Sequence, residues 1–383
     1  MDILEENHFA EADALFPFAC TRPVMDIRIG ILTLREKWEG LLPGGKPPGL
    51  PDNIVPDAGL AAMIRQELAA VGAEKPNPDG SAGAERPIPA GSPTQGGSSA
   101  PAEDPGHILS PAAIGRITTH AQRLQHPWHI FQFNDRAIRD DFAWLTKGRR
   151  SAPIPPTVQA IAPESIFIEE GASIQYAILN ASTGPIYIGR NSEIMEGSTI
   201  RGPFALCEGA VVKMGARIYG ATTIGPYSIV GGEIKNSVIF GYSNKGHDGY
   251  LGDSVIGEWC NLGAGTSNSN LKNNAQEVKI FNPAEGRFLS AGLKCGLLLG
   301  DYSRAAINTS FTTGTVVGIC CNVFGEGLTP NYIPSFSWGQ KNSTKYEFEK
   351  ALRDIGNWKK LKNQSLTDDE IQTLKHIFEE SLD

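Results

Sequence analysis

The side chains best suited to proton transfer and polar binding lie between positions 235 and 270. His247 sits in the glycine-rich polar run Ser243-Asn244-Lys245-Gly246-His247-Asp248-Gly249. An imidazole titrates near working pH and so suits a general base. A lone histidine is as a rule structural or solvated, and company is what sets this one apart. Lys235 precedes it, Tyr250 follows it, and Asn261, Asn268 and Asn270 come soon after. A second set lies near the N-terminus, where Arg22, Asp26 and Arg28 interrupt an apolar stretch. Two readings stay open there: a buried ion pair that fixes a loop, or an arginine pair that grips a phosphate through bidentate guanidinium contacts. His126 and His129 flank Pro127 too closely for an easy helical metal pair, and read as packing or surface residues.

These residues need a scaffold, and the spacing of aliphatic residues supplies one. Ile188, Ile194, Ile200, Leu206, Val212, Ile218, Ile224 and Val230 recur every six positions without a miss. A helix repeats its apolar face every three or four residues and a strand every two. A period of six suits a triangular coil of short strands, each turning one aliphatic inward. Glycines at Ile188-Gly189-Arg190, Ile200-Arg201-Gly202, Leu206-Cys207-Glu208-Gly209 and Ile224-Gly225-Pro226 serve the tight corners. Successive coils stack as parallel strands about 4.8 Å apart. The coil is expected from about Val158 to Phe324, with a break after Val230, resumption at Ile256 and Leu262, and a protruding loop over Ser267–Leu293.

The chain has 383 residues, enough for two or three domains. Its net charge of −8 argues against a nucleic-acid binder. No apolar run approaches the roughly 20 residues of a membrane span, and the acidic start resembles no secretory leader. The six cysteines are scattered with no Cys-x-x-Cys, and read as reduced core residues of a cytoplasmic protein. The expected organisation is 1–74 as an N-terminal α/β region, 75–106 as a disordered Pro/Gly/Ser linker, 107–157 as a helical connector, 158–324 as the coil and 325–383 as a helical tail. Within these, Ile29–Leu42 and Ala58–Glu74 read as helices, Ile114–Leu145 as partly helical, and Ser343–Lys362 and Leu366–Leu382 as helices covering the open end of the coil. Trp128, Phe131, Phe133, Phe142 and Trp144 are expected to pack between the N-terminal region and the coil.

One stretch resembles a known family. His247-x-x-Tyr250-Leu251-Gly252-Asp253, Ile256-Gly257, Asn261-x-Gly263-Ala264-Gly265-Thr266 and Asn270 are similar to the acetyltransferase domain of the bifunctional N-acetylglucosamine-1-phosphate uridyltransferase/glucosamine-1-phosphate acetyltransferase family, without gaps from Lys235 to Asn270. The resemblance implies a mainly β fold, a left-handed parallel β-helix of hexapeptide repeats, in a homotrimer with the site between subunits. It implies His247 as the base that deprotonates the sugar amine. It gives Lys235, Tyr250 and Asn261 to the sugar phosphate or nucleotide, Arg201 to a phosphate, Asn270 to positioning, and Ala264 to coenzyme A. There are departures. About one more coil separates Arg201 from His247 than in the family pattern, and Ile307 stands where the family has a serine at the acetyl donor. The N-terminal Pro17-Phe18-x-x-Thr21-Arg22-Pro23-x-x-Asp26-Ile27-Arg28-x-Gly30-Ile31-Leu32-Thr33-x-x-Glu36-Lys37-Trp38 resembles the opening of a sugar-nucleotidyltransferase-like family. The glycine-rich turn ending in Gly-Thr-Arg is absent, which implies a reduced and inactive nucleotidyltransferase-like piece.

Three functions follow. The first is an acyltransferase using acetyl-CoA as co-substrate on an amino-sugar phosphate or nucleotide sugar. The second is a sugar-1-phosphate nucleotidyltransferase with Arg22, Asp26 and Arg28 contributing, the only reading that calls for Mg²⁺. The third is a non-catalytic scaffold or sugar-nucleotide sensor. None involves nucleic acid, a membrane or a resident metal. A carbonic-anhydrase-like metal site would need several histidines where the coil has one.

Overall fold

The computed structural model describes residues 11–73, 109–341 and 343–381. The stretch 75–106, expected as a disordered linker, lies outside the described residues, as does the Met1-Asp2-Ile3-Leu4 start.

The period of six becomes a parallel β-helix with three strand ladders. One ladder has six strands, from Gln159–Ile161 to Tyr250–Gly252; a second has nine, from Ile166–Ile168 to Tyr332–Ile333; a third has ten, beginning at Ser173–Ile174. The aliphatic positions stack in register, Ile188 on Leu206 on Ile224 in the second ladder and Ile194 on Val212 on Val230 in the third. All are buried in one continuous core. Each inward aliphatic lies against its equivalents on the rungs before and after, so burial is shared along the whole stack.

The expected break after Val230 is not an exit from the coil. The inward step shortens to four residues (Val230 to Ile234) and five (Ile234 to Ile239), and pairing continues without interruption. Gly231 and Gly232 allow the short corner. At Gly232, with φ +75°, a Cβ would meet the His247 carbonyl oxygen at 2.7 Å. Two inward positions past this corner are polar. Lys245 stacks on Val230 and is 1% exposed. Asn268 closes the first ladder by pairing its amide with the backbone of Gly252 (2.9 and 3.1 Å).

The coil also runs past Phe324, since Tyr332–Ile333 and Ser337–Trp338 extend two ladders. The antiparallel strand Thr344–Lys345 then pairs with the last rung, which satisfies an edge that would otherwise stay open. The C-terminal helices Phe348–Lys360 and Asp368–Glu380 therefore lie along the side of the coil, not over its end. They cover a column of corner residues, Trp259, Tyr302, Cys320 and Phe336. Thr367 and Glu370 form the capping box of the second helix. The expected 267–293 loop folds in part as the hairpin Lys279–Asn282/Arg287–Ser290, whose Ile280 packs with the N-terminal core.

The N-terminal region is shorter in helix than its periodicity predicts. Arg28–Ile29 and Leu32–Thr33 form a hairpin around Gly30 (φ +73°), and the helix is only Leu34–Leu41. This turn is bolted to the coil. The Gly30 N–H donates to Asn134 (2.7 Å), Asn134 donates to the Ala221 carbonyl (3.0 Å), and Thr223 donates back to the Gly30 carbonyl (2.9 Å). Beside it, Asp141 takes the Ile31 N–H (2.8 Å) and the buried Lys37 ammonium. Trp128 and Phe131 share a core with Val238, Phe240 and Val255 of the coil. Phe133 packs against that core, Phe142 packs against Ile31 and Ala205, and the Trp144 ring lies over Gly40 of the Leu34–Leu41 helix. His126 stacks on Trp128 (4.4 Å between rings) and His129 packs on Phe133 (4.7 Å).

Candidate functional site

The shortened corner at Gly231-Gly232 makes a notch. On the next rung the corner Gly246-His247-Asp248-Gly249 is full length, so it overhangs its neighbour and His247 stands exposed. The corner is held from both sides. The Asp248 carbonyl accepts the Gly265 N–H (3.0 Å), and the Lys245 ammonium reaches the His247 carbonyl from inside the coil. Burial pulls the Lys245 ammonium down to about 8.

His247 borders a groove of about 400 Å³ on the outer face of the third ladder. Asn244, Asn261, Ala264 and Ile307 line it, and Trp358 closes it from the Phe348–Lys360 helix. Asn244 and Asn261 are direct neighbours in the ladder. His247, Asn261 and Ala264 thus border one groove.

Tyr250, Asn270, Lys235 and Arg201 lie round the corner, on the outer face of the first ladder. Asn270 donates to the Tyr250 hydroxyl (3.0 Å) and to Asp253, which also accepts from Asn236 (2.6 Å). Burial and the Asp253 carboxylate push the Tyr250 phenol up to about 12, so it is a neutral hydroxyl at working pH. Its oxygen hangs over Gly252, the ladder neighbour of Lys235. Arg201 stands two rungs from Lys235 with Arg217–Tyr219 between them, a separation of about 10 Å. Arg217, missed in the sequence, is the arginine on the rung adjoining Lys235. Asn244 was passed over as part of a polar run. Trp358 gave no local signal, because it reaches the groove from a distant helix.

The N-terminal candidates do not converge. Arg22 is a clamp: its guanidinium contacts Asp301, which is fully buried, and Glu258 (3.0 Å), both on the coil. Thr21 donates to the same Asp301, and Arg22 lies over the Phe240 ring (5.3 Å). Asp26 pairs with Arg35 (2.6 Å) and Arg28 with Glu36 (3.5 Å). Of the two readings of this motif, the ion-pair geometry is the one present. All six cysteines are free; five are buried, Cys20 is half-buried, and burial pushes the thiols of Cys260 and Cys295 up. No group of metal-ligating side chains occurs among the described residues. No helix among them is long and apolar enough to cross a membrane.

The fold is that of a mainly β protein built on a parallel β-helix of hexapeptide repeats, with an N-terminal helix-and-hairpin region and C-terminal helices. Residues 3–48 and 57–150 match the model of the sugar nucleotidyl transferase family. The bifunctional sugar-1-phosphate nucleotidylyltransferase/acetyltransferase of Sulfurisphaera tokodaii is 38% identical over 93 residues, 24% of this chain and 23% of that protein. The bifunctional protein GlmU of Methanocaldococcus jannaschii is 33% identical over 103 residues, 27% of this chain and 25% of the other. The chain therefore spans about a quarter of the length of these relatives, which are transferases. Among solved structures, an Arabidopsis UDP-N-acetylglucosamine acyltransferase is similar at 17% identity and a TM-score of 0.22, over 53% of this chain and 77% of that one.

Proposed function

We propose that the chain is an acyltransferase that moves an acetyl group from acetyl-CoA to the amine of an amino-sugar phosphate or nucleotide sugar. The observation that supports this most is the notch: one exposed imidazole overhanging a groove lined by amides, with an ammonium and a neutral phenol on the adjoining face. His247 takes a proton from the sugar ammonium. The freed amine attacks the thioester carbonyl carbon, the C–S bond breaks, and the thiolate leaves to be protonated as coenzyme A. Lys235, Arg217 and Arg201 offer positive charge to the sugar phosphate. Tyr250, held by Asn270, donates to the sugar, Asn261 contacts the sugar phosphate or nucleotide, and Ala264 borders the donor. The site is proposed to be completed by a second copy in a homotrimer. Met214 and Ile307 support this, being 67% and 69% exposed on the same column of corners as His247.

The test is release of free thiol from acetyl-CoA with glucosamine 1-phosphate. His247→Ala is expected to lower the rate about 10²–10⁴-fold; unchanged release would remove the proposed base. The N-terminal family match favours nucleotidyl transfer as a second reading. Pyrophosphate release from UTP or dTTP with a sugar 1-phosphate and Mg²⁺ tests it, and no signal at high enzyme concentration leaves the N-terminal region a clamp. If calorimetry finds binding to neither substrate set, the scaffold reading replaces both.

A further inference from the structure

The outer face of the first ladder carries an ordered row leading away from the His247 corner. Tyr250, Glu233, Arg217, Thr199 and Ile178 are ladder neighbours on successive rungs. Lys235 stands beside Glu233, and Arg201 beside Thr199. The alternate residues Ile234, Ile218, Ile200 and Leu179 are buried, so the row itself faces outward. From Tyr250 to Ile178 it runs about 19 Å. Tyr176 ends it, at the corner before Ile178 (φ +47°). Tyr176 is 65% exposed and Ile178 is 40% exposed. Lys235 and Arg201 form no ion pair among the described residues. Glu233, the carboxylate within the row, accepts from the Tyr219 hydroxyl (2.7 Å).

Length decides what fits. In a 2-amino sugar the nitrogen and the 1-phosphorus are separated by a few covalent bonds, about 6 Å at most. A phosphate that close to the amine is met by Lys235 and Arg217, and leaves Arg201, Ile178 and Tyr176 unused. A nucleoside-diphosphate sugar continues through a second phosphate and a ribose, about 15 Å when extended before its base begins. Its two phosphates then fall across Lys235, Arg217 and Arg201, and its base falls on the rung of Ile178. Guanidinium forks match phosphate oxygens. A flat base covers an aromatic ring that otherwise faces water.

We propose that the acceptor is a nucleoside-diphosphate sugar lying along the first ladder, its diphosphate across Lys235, Arg217 and Arg201 and its base on Tyr176 and Ile178. This rests on the acyl-transfer reading only for what happens at the amine. The row of charge and the aromatic end recognise the nucleotide whether or not the acyl group moves.

Titration calorimetry of the full chain with UDP-N-acetylglucosamine, dTDP-glucose and GDP-mannose, each against glucosamine 1-phosphate, tests this. At least one nucleotide sugar is expected to bind about tenfold tighter or more than the sugar phosphate. Tyr176→Ala is expected to remove about tenfold of that affinity, the usual worth of a base stacked on an aromatic ring. Tyr176→Phe, which keeps the ring, should retain it. Arg201→Met should weaken nucleotide-sugar binding by a similar factor, and Arg201→Lys, which keeps charge but loses the fork, should fall between. Both positions are exposed, so melting temperatures should stay close to wild type. If no nucleotide sugar binds more tightly than glucosamine 1-phosphate, or Tyr176→Ala leaves the ratio of the two unchanged, the proposal is overturned. A Tyr176→Ala protein that sediments as a smaller species with full nucleotide-sugar affinity also overturns it, and makes the exposed ring a subunit contact. Nucleotide-sugar binding without thiol release leaves the row standing and removes acyl transfer. Thiol release with glucosamine 1-phosphate and no nucleotide-sugar binding does the reverse.

Discussion

Lys245 makes a sharp prediction because its cost has a sign and a pH window. Its side chain occupies an inward position between Val230 and the next rung, is 1% exposed, and its ammonium donates to the Gly231 and His247 carbonyls. Burial lowers its pKa from 10.5 to about 8. The unfolded chain therefore holds this proton more tightly than the folded one. Stability from this residue must rise with pH between about 8 and 10.5 and stay flat below. At 1.36 kcal/mol per pKa unit, the rise is about 3 kcal/mol. Lys245→Met abolishes it, and groups shared by both proteins cancel in the difference. Urea denaturation of wild type and variant from pH 7 to 10.5, in reductant, measures it. The gap should move in favour of wild type by about 3 kcal/mol across the window. A gap that does not change with pH would show that Lys245 is not held charged inside the coil. The variant also loses the tie to the His247 carbonyl, so thiol release at pH 7 should fall even where stability does not.

Other perturbations follow from the same contacts. Arg22→Met leaves the Asp301 carboxylate buried beside Glu258 and should cost about 3–5 kcal/mol in denaturant unfolding; a loss below about 1 kcal/mol would mean that the clamp does not hold the N-terminal region. Gly232→Ala forces a Cβ against the His247 corner, whereas Gly215→Ala has a similar φ of +69° and open space. Both should pay backbone strain of about 1–2 kcal/mol, but only the first should lose thiol release. Asn270→Ala frees the Tyr250 hydroxyl and Asp253, and is expected to raise the KM for the sugar phosphate about tenfold with kcat nearly kept, since uniform binding is what it removes.

Much of the architecture was legible because its cause is local. The eight aliphatics from Ile188 to Val230 stack where the period says they should, since every inward residue sees the same environment one rung away. The period failed where chemistry intervened. Val230 to Ile256 read as a break, yet it is coil with shortened corners and a lysine in an aliphatic slot. The C-terminal helices were legible from their periodicity and the Thr367 cap, but their resting place was not, because it depends on an aromatic corner column assembled from separate rungs.

The sequence by itself determined that a stacked coil exists, that one histidine lies in its glycine-rich stretch, and that amides recur beside it. Tertiary structure alone decided that Arg22 serves Asp301 and Glu258, that Lys245 points inward beneath His247, and that Trp358 meets Arg304. The reason is physical: an aliphatic's place in a repeat is set by its neighbours in the chain, whereas a charge is defined by whatever distant group the fold brings within a few ångströms of it.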